Sequence, residues 1–306
     1  MPDRVTAWLF RAGRWVFHAL PGRTAKVAFW GLVLRPFLNR RHFEIDATMR
    51  CGAVIHGAFP DAIHARIFYF GVWEPALTDH FRRALRCGDI VVDIGANVGV
   101  HSLLASSLVG PQGRVHAIEA SPSTFTRLRR NVEANGCANV VLHQVAVMDR
   151  LAEVTVHRNR AENIGGTTVV DAVAEGLQAT VEARVEARPL DDIVPLEDLL
   201  RARVIKIDVE GAEWPVLQGM REVMDRLRED VEIVVELTPE ALRHHGVTTE
   251  EFLGFFAAFG FFAYRIPNEY DPRFYLDPLP SRPTPFVPCG ERLVDLVMSR
   301  VRPDAM

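Results

Sequence analysis

Residues 91–99 read Val-Val-Asp-Ile-Gly-Ala-Asn-Val-Gly. The apolar run Ile90–Ile94 is a buried strand, and Gly95 and Gly99 frame a turn that opens into a helix over residues 98–109. Glycines at such a turn let the backbone come close to a ligand, and the free N–H groups of the helix start attract a carboxylate. Asn97 stands where a Gly-x-Gly-x-x-Gly turn carries the glycine that makes room for a pyrophosphate. The turn therefore suits a small, amino-acid-like ligand, with an acid nearby for its ammonium group.

The pattern around this turn alternates. Strands over 114–119 and 140–146 flank a helix over 122–135 with Ser121 at its N-cap, and strands over 204–208 and 232–237 flank a helix over 212–227. A helix over 249–259 and strands over 261–266 and 293–300 complete the series. Strands alternating with helices predict a doubly wound α/β domain, with a mostly parallel sheet covered on both faces. The domain is read as residues 89–301, with a strand-rich insertion at 147–190 and a short helix at 190–200. The proline-rich loop at 267–288 is expected to act as a lid over an acceptor, through Phe274, Tyr275 and Phe286. Residues 42–88 read as short strands and turns followed by a helix over 75–85.

Residues 1–41 form a separate extension of charge +7, against −11 for the remainder. Val5, Trp8, Leu9, Ala12, Trp15, Val16, Ala19 and Leu20 recur at helical spacing, with Arg4, Arg11, Arg14 and His18 opposite. Pro21-Gly22 ends this helix, and an apolar stretch follows from Val27 to Leu38. The pair either docks on the main domain or rests on an anionic membrane surface with Trp8, Trp15 and Phe17 at the interface.

Glu119 ends the next predicted strand, 26 positions after Asp93. In a nucleoside-binding sheet a carboxylate there accepts hydrogen bonds from both ribose hydroxyls. Lys206-Ile207-Asp208-Val209-Glu210-Gly211-Ala212-Glu213 ends the fourth strand across the crevice. Asp208 is the first candidate for a general base and Glu210 the second. Lys206, flanked by Ile205 and Ile207, needs a partner because an unpaired buried charge is costly. Asp208 is thus equally readable as that structural partner. Asp208 and Glu236 form the alternative pair for Mg²⁺, although metal-free catalysis is preferred. His244 and His245 are further base candidates, more readily read as solvated histidines at a helix end.

The combination of motifs resembles the FkbM family of S-adenosylmethionine-dependent methyltransferases. Family-like features run from Trp73-Glu74-Pro75 to Val235-Glu236-Leu237. Between them lie residues 88–99, 115–122, Leu128 with Asn131-Val132, Asn135-Gly136, Ala146-Val147, Asn163-Ile164-Gly165-Gly166, Leu190-Asp191-Asp192 and 206–219. The resemblance implies a seven-stranded methyltransferase sheet, with Asp93, Gly95, Ala96, Asn97, Gly99, Glu119, Ala120, Ser121 and Ala146 around the cofactor. It implies methyl transfer to oxygen on a sugar, glycolipid or secondary metabolite. The extension before residue 42 and the loop 267–288 lie outside the shared motifs. A catalytically silent binding protein and a nicotinamide-dependent dehydrogenase are the alternatives, the latter disfavoured by Asn97.

Composition excludes other classes. The net charge of −4 argues against a general nucleic-acid binder. Cys51, Cys87, Cys137 and Cys289 form no Cys-x-x-Cys pair and read as buried free thiols. No signal peptide and no membrane span are apparent, so a cytoplasmic protein, with peripheral contact at the inner membrane face, is the expectation.

Overall fold

The computed structural model describes residues 4–38, 43–158, 167–276 and 282–301. Strands β1 (Phe43–Thr48) and β2 (Val54–Phe59) pair as an antiparallel hairpin ahead of the main domain. Strands β3 (Ile90–Ile94), β4 (Arg114–Ile118) and β5 (Val140–His143) begin the large sheet. Strands β6 (Ala146–Val147), β7 (Ala152–Arg158), β8 (Thr167–Thr168) and β9 (Thr180–Arg188) are the insertion, which forms its own sheet in the order β6-β9-β7-β8. Strands β10 (Ala202–Ile207), β11 (Glu232–Leu237), β12 (Phe262–Ile266), β13 (Thr284–Pro285) and β14 (Val294–Ser299) return to the large sheet.

The large sheet has the order β13-β12-β14-β11-β10-β3-β4-β5. Parallel pairing links β11, β10, β3, β4 and β5, while β14 runs antiparallel between β11 and β12. This is the doubly wound fold read from the alternation, with one addition. The two-residue β13 makes an eighth strand, and it comes from within the proline-rich loop, which also holds the short helix Pro272–Leu276. Central strands such as β3 are buried along their whole length, as helices on both faces require.

Three expectations are corrected here. Residues 62–70, read as strand and turn, form the helix Ala62–Phe70. Its isoleucines and aromatics favour strands, but Asp61 caps its first turn by accepting from the His64 N–H at 2.6 Å, and Gly71 ends it at φ +73°. The N-terminal helix Arg4–Ala19 docks by a stripe that the apolar count left out. Phe10 and Phe17 are fully buried among Phe43, Phe59, Tyr69 and Phe70, and Arg14 lies over the Phe68 ring at 5.2 Å. Phe17 is therefore unavailable to a membrane, while Trp8 and Trp15 remain 66% and 71% exposed. No helix among the described residues is long and apolar enough to cross a membrane. All four cysteines are free, but Cys87 and Cys289 are exposed rather than buried.

Candidate active site

The C-terminal ends of β3, β4, β10 and β11 open onto a cavity of about 370 Å³. Open α/β sheets bind ligands at this edge, where the connections leave in opposite directions. Gly95, Ala96, Asn97, Glu119, Ala120, Ala146, Asp208, Glu210 and Glu236, all singled out in the sequence, line it. Asp93, Gly99 and Ser121 do not. Asp93 sits beneath the floor, accepting from the Ser102 hydroxyl at 2.5 Å. Ser121 caps the helix Pro122–Ala134 by accepting from the Thr124 N–H at 3.2 Å.

The glycines also answer to packing within the protein. A Cβ on Gly95 (φ +76°) would collide with the Asp208 carbonyl, and one on Gly99 (φ +93°) would lie 2.7 Å from Leu128. They permit protein to approach protein, Gly95 bringing the end of β3 against the end of β10 and Gly99 admitting Leu128 of the helix Pro122–Ala134. Asn97 adopts φ +51°, which asparagine tolerates, and its side chain accepts from the Val98 N–H at 2.7 Å. This local cap gives Asn97 a structural reason to replace glycine.

Glu119 closes one end of the cavity. Its carboxylate accepts from the Asn97 N–H at 2.9 Å and the Ser121 N–H at 2.8 Å. Each oxygen keeps a lone pair for another donor. Burial outweighs those hydrogen bonds and pushes its carboxyl up to about 7. Ile118, Val145, Ala146 and Val147 supply apolar wall beside it. Val100 and His101, at the start of the helix Val100–Val109, also line the cavity, and their N–H groups meet no acceptor among the described residues. An apolar wall, a carboxylate for hydroxyls and free N–H groups for a carboxylate together fit S-adenosylmethionine.

The other end is crowded with acids around one lysine. Lys206 pairs in register with Asp93 on β3, and the two-residue period of a strand puts Asp208 on its side of β10. Its ammonium lies 2.9 Å from Asp208 Oδ2 and 3.6 Å from Asp93 Oδ1. Burial works against that charge, but Asp208 and Asp93 overcome it and hold the lysine above its ordinary range. Glu210, at φ +50°, is pushed up to about 8 by burial and by Asp208. Glu236, pushed up to about 10 by burial and then by Asp208 and Glu210, accepts from the Thr238 hydroxyl at 3.1 Å.

Sequence reasoning gave no role to Glu74, His101, Asn268, Tyr270 and Asp295. Glu74 lines the cavity from φ +44° just before Pro75, and burial, then Asp295 and Asp208, push it up to about 8. Asn268 and Tyr270 donate to it at 3.2 and 3.3 Å. Tyr270 stacks on Trp73 at 5.2 Å. The expected lid residues Phe274 and Tyr275 instead pack into the core, and Phe286 packs partly buried on the other face, so none lines the cavity. His244 is exposed, and His245 bonds the Gly211 carbonyl at 2.9 Å, bracing the turn after Asp208. Among the described residues, no group of three or more His, Cys, Asp or Glu is arranged to hold a metal ion. The Asn163-Ile164-Gly165-Gly166 motif lies outside the described residues.

A family model described as the methyltransferase FkbM domain matches residues 93–263. Methyltransferase 1 of Beauveria bassiana is 29% identical over 144 residues, covering 42% of this chain and 57% of that protein. The 31-O-demethyl-FK506 methyltransferase FkbM of Streptomyces tacrolimicus is 30% identical over 195 residues, covering 54% and 74%. The hexuronic acid methyltransferase AglP of Haloferax volcanii is 26% identical over 132 residues, covering 43% and 50%. The chain thus spans little more than half the length of the first of these relatives and half that of the last.

Proposed function

The chain belongs to the FkbM methyltransferase domain family, and on that premise we propose an S-adenosylmethionine-dependent O-methyltransferase acting on a hydroxyl of a sugar, glycolipid or secondary metabolite. The observation that carries this reading is the two-ended cavity, with Glu119 and apolar wall at one end and Asp208, Glu210, Glu236 and Glu74 at the other. Relatives named for 31-O-demethyl-FK506 and for a hexuronic acid support acceptors that offer a hydroxyl.

Bound S-adenosylmethionine supplies a methyl group made electrophilic by its sulfonium. The protein's task is then to hold a hydroxyl in line with that methyl and to remove its proton as the oxygen attacks. Asp208 takes the base role. Lys206 fixes its Oδ2 and leaves Oδ1 without a hydrogen bond among the described residues. Glu210 orients the acceptor, and below pH about 8 it keeps its own proton and donates rather than accepts. Glu236 and Glu74 are further hydrogen-bonding positions for a polyhydroxylated acceptor.

The test is Asp208→Asn, which keeps shape and loses charge. Affinity for S-adenosylhomocysteine should survive in calorimetry. Turnover of labelled S-adenosylmethionine on a fractionated glycan or lipid acceptor should fall by about 10²–10⁴-fold. Undiminished turnover would leave Asp208 as the structural partner of Lys206.

A further inference from the structure

A second hollow, about 920 Å³, lies between the N-terminal helices and the loop after β12. It meets the cavity described above at Ala62, Arg66 and Tyr270, which line both. Four arginines line it: Arg23, Arg35, Arg66 and Arg273. Asp271 is the one acid among its lining residues, and it is spanned by Arg273 at 2.6 Å. The hollow therefore carries a clear positive excess beside a cavity rich in acids. Its apolar lining includes Val27 and the nearly buried Trp30.

Arg66 stands at the junction. Its guanidinium donates to the carbonyls of Ala62 and Tyr270, both at 3.2 Å, and lies 5.5 Å from the rings of Trp73 and Tyr270. Those contacts fix the plane of the group while using two of the five N–H donors of an arginine. Arg35 is exposed and has no hydrogen bond or ion pair among the described residues. Arginine is the residue best shaped to grip phosphoryl oxygens, through parallel N–H donors.

We propose that this arginine-lined hollow binds a phosphoryl group of the methyl acceptor, so that the substrate is a phosphate- or diphosphate-bearing compound whose hydroxyl reaches past Arg66 to Asp208. The proposal deepens the methyl-transfer reading and rests on it for the identity of the neighbouring cavity. The division of charge supports it: acids flank the place where a hydroxyl gives up its proton, and arginines wait where the anion is anchored.

The experiment titrates the full chain, saturated with S-adenosylhomocysteine, with inorganic pyrophosphate, following Trp fluorescence and calorimetric heat. Binding is expected without displacement of S-adenosylhomocysteine. Arg35→Ala should weaken it by about tenfold or more, as for loss of a hydrogen bond to a charged group. Arg273→Gln, which also frees Asp271, should weaken it too, and S-adenosylhomocysteine affinity should stay at the wild-type value in both variants. A parallel arm measures flotation with phosphatidylglycerol vesicles against phosphatidylcholine vesicles. Flotation that falls in Arg35→Ala and is competed by pyrophosphate assigns the phosphoryl group to a lipid-borne acceptor. Pyrophosphate binding that falls in the variant, with flotation unchanged or absent, assigns it to a soluble one. Absence of pyrophosphate binding, equal binding by both variants, or competition with S-adenosylhomocysteine would overturn the proposal. Because these are binding measurements, their failure leaves methyl transfer standing. A failure of S-adenosylhomocysteine to bind would instead strike the underlying reading.

Discussion

The two ends of the candidate active-site cavity are built by opposite means. At the Glu119 end, the backbone does the work: the turn after β3 and the first helical residues lie within a dozen positions, and the N–H groups of Asn97 and Ser121 hold the one carboxylate, which follows β4, in place. At the Asp208 end, side chains arrive from β10, β11, β14, the turn before Pro75 and the loop after β12, and a single lysine holds the acids together. Backbone hydrogen bonds tolerate side-chain change, whereas a shared counter-ion does not. The acceptor end should therefore be the fragile one.

The largest expected effect follows directly. Lys206→Met leaves Asp93 and Asp208 without their cation, and Asp93 is 1% exposed, its Oδ1 making no hydrogen bond and facing only that ammonium among the described residues. Removing one member of a buried ion pair typically costs about 3–5 kcal/mol. Urea denaturation at pH 7 should show a loss of that order. Asp93→Asn combined with Lys206→Met should recover part of it, since the double change removes charge from both sides. A Lys206→Met protein as stable as the wild type would erase the proposed contrast between the two ends.

The matching change at the other end acts on binding. Glu119→Ala removes the acceptor we propose for ribose hydroxyls together with the latch on the Asn97 and Ser121 N–H groups. Affinity for S-adenosylhomocysteine should fall by about 1.5–3 kcal/mol, the range for hydrogen bonds to a charged group. Calorimetry giving an unchanged dissociation constant would remove Glu119 from the cofactor site.

The same division explains which parts of the site are legible in the sequence. The glycine turn, Glu119 and the strand–helix alternation are local patterns, and the sheet follows from them. Asp208, Glu210 and Glu236 are legible because they end strands on the ligand edge. Glu74 shows itself only as part of a Trp-Glu-Pro motif. Nothing local says that residue 74 meets Asn268 and Tyr270, nearly two hundred positions away. Asp295 hides inside an apolar strand, and its place beside Glu236 is a matter of β11–β14 register. The docking face of the first helix is hidden for a related reason. Counting apolar residues favours the tryptophans, whereas packing selects Phe10 and Phe17, which fit among the aromatic rings of the β1–β2 hairpin and the helix after it.

The smallest expected effect is also the one that reads the acceptor end as a group. Glu74 and Glu210 are pushed up to about 8 and Glu236 to about 10, against an ordinary glutamate value of about 4.3. A carboxyl whose value is raised on folding binds its proton more tightly in the folded state. Its contribution to stability is complete below the unfolded value, declines as pH rises, and is gone once pH passes the folded value. For Glu74 and Glu210 that loss ends near pH 8, and for Glu236 it continues to about pH 10. Interacting sites release their protons in shared steps, so the boundary between the two windows is gradual. Each pH unit separating folded from unfolded values corresponds to about 1.4 kcal/mol. Even a discounted contribution should therefore lower the melting temperature by a few degrees between pH 7 and 10. Glu236→Gln replaces the most strongly raised carboxyl with a permanently neutral amide. It should level the curve above pH 8 while leaving a decline between pH 7 and 8, where Glu74 and Glu210 still act. Glu119, at about 7, has released its proton by then and should not alter the alkaline limb. A melting temperature that holds level from pH 7 to 10, or one that Glu236→Gln leaves equally steep, would mean that the acids of the acceptor end do not keep their protons in the folded chain.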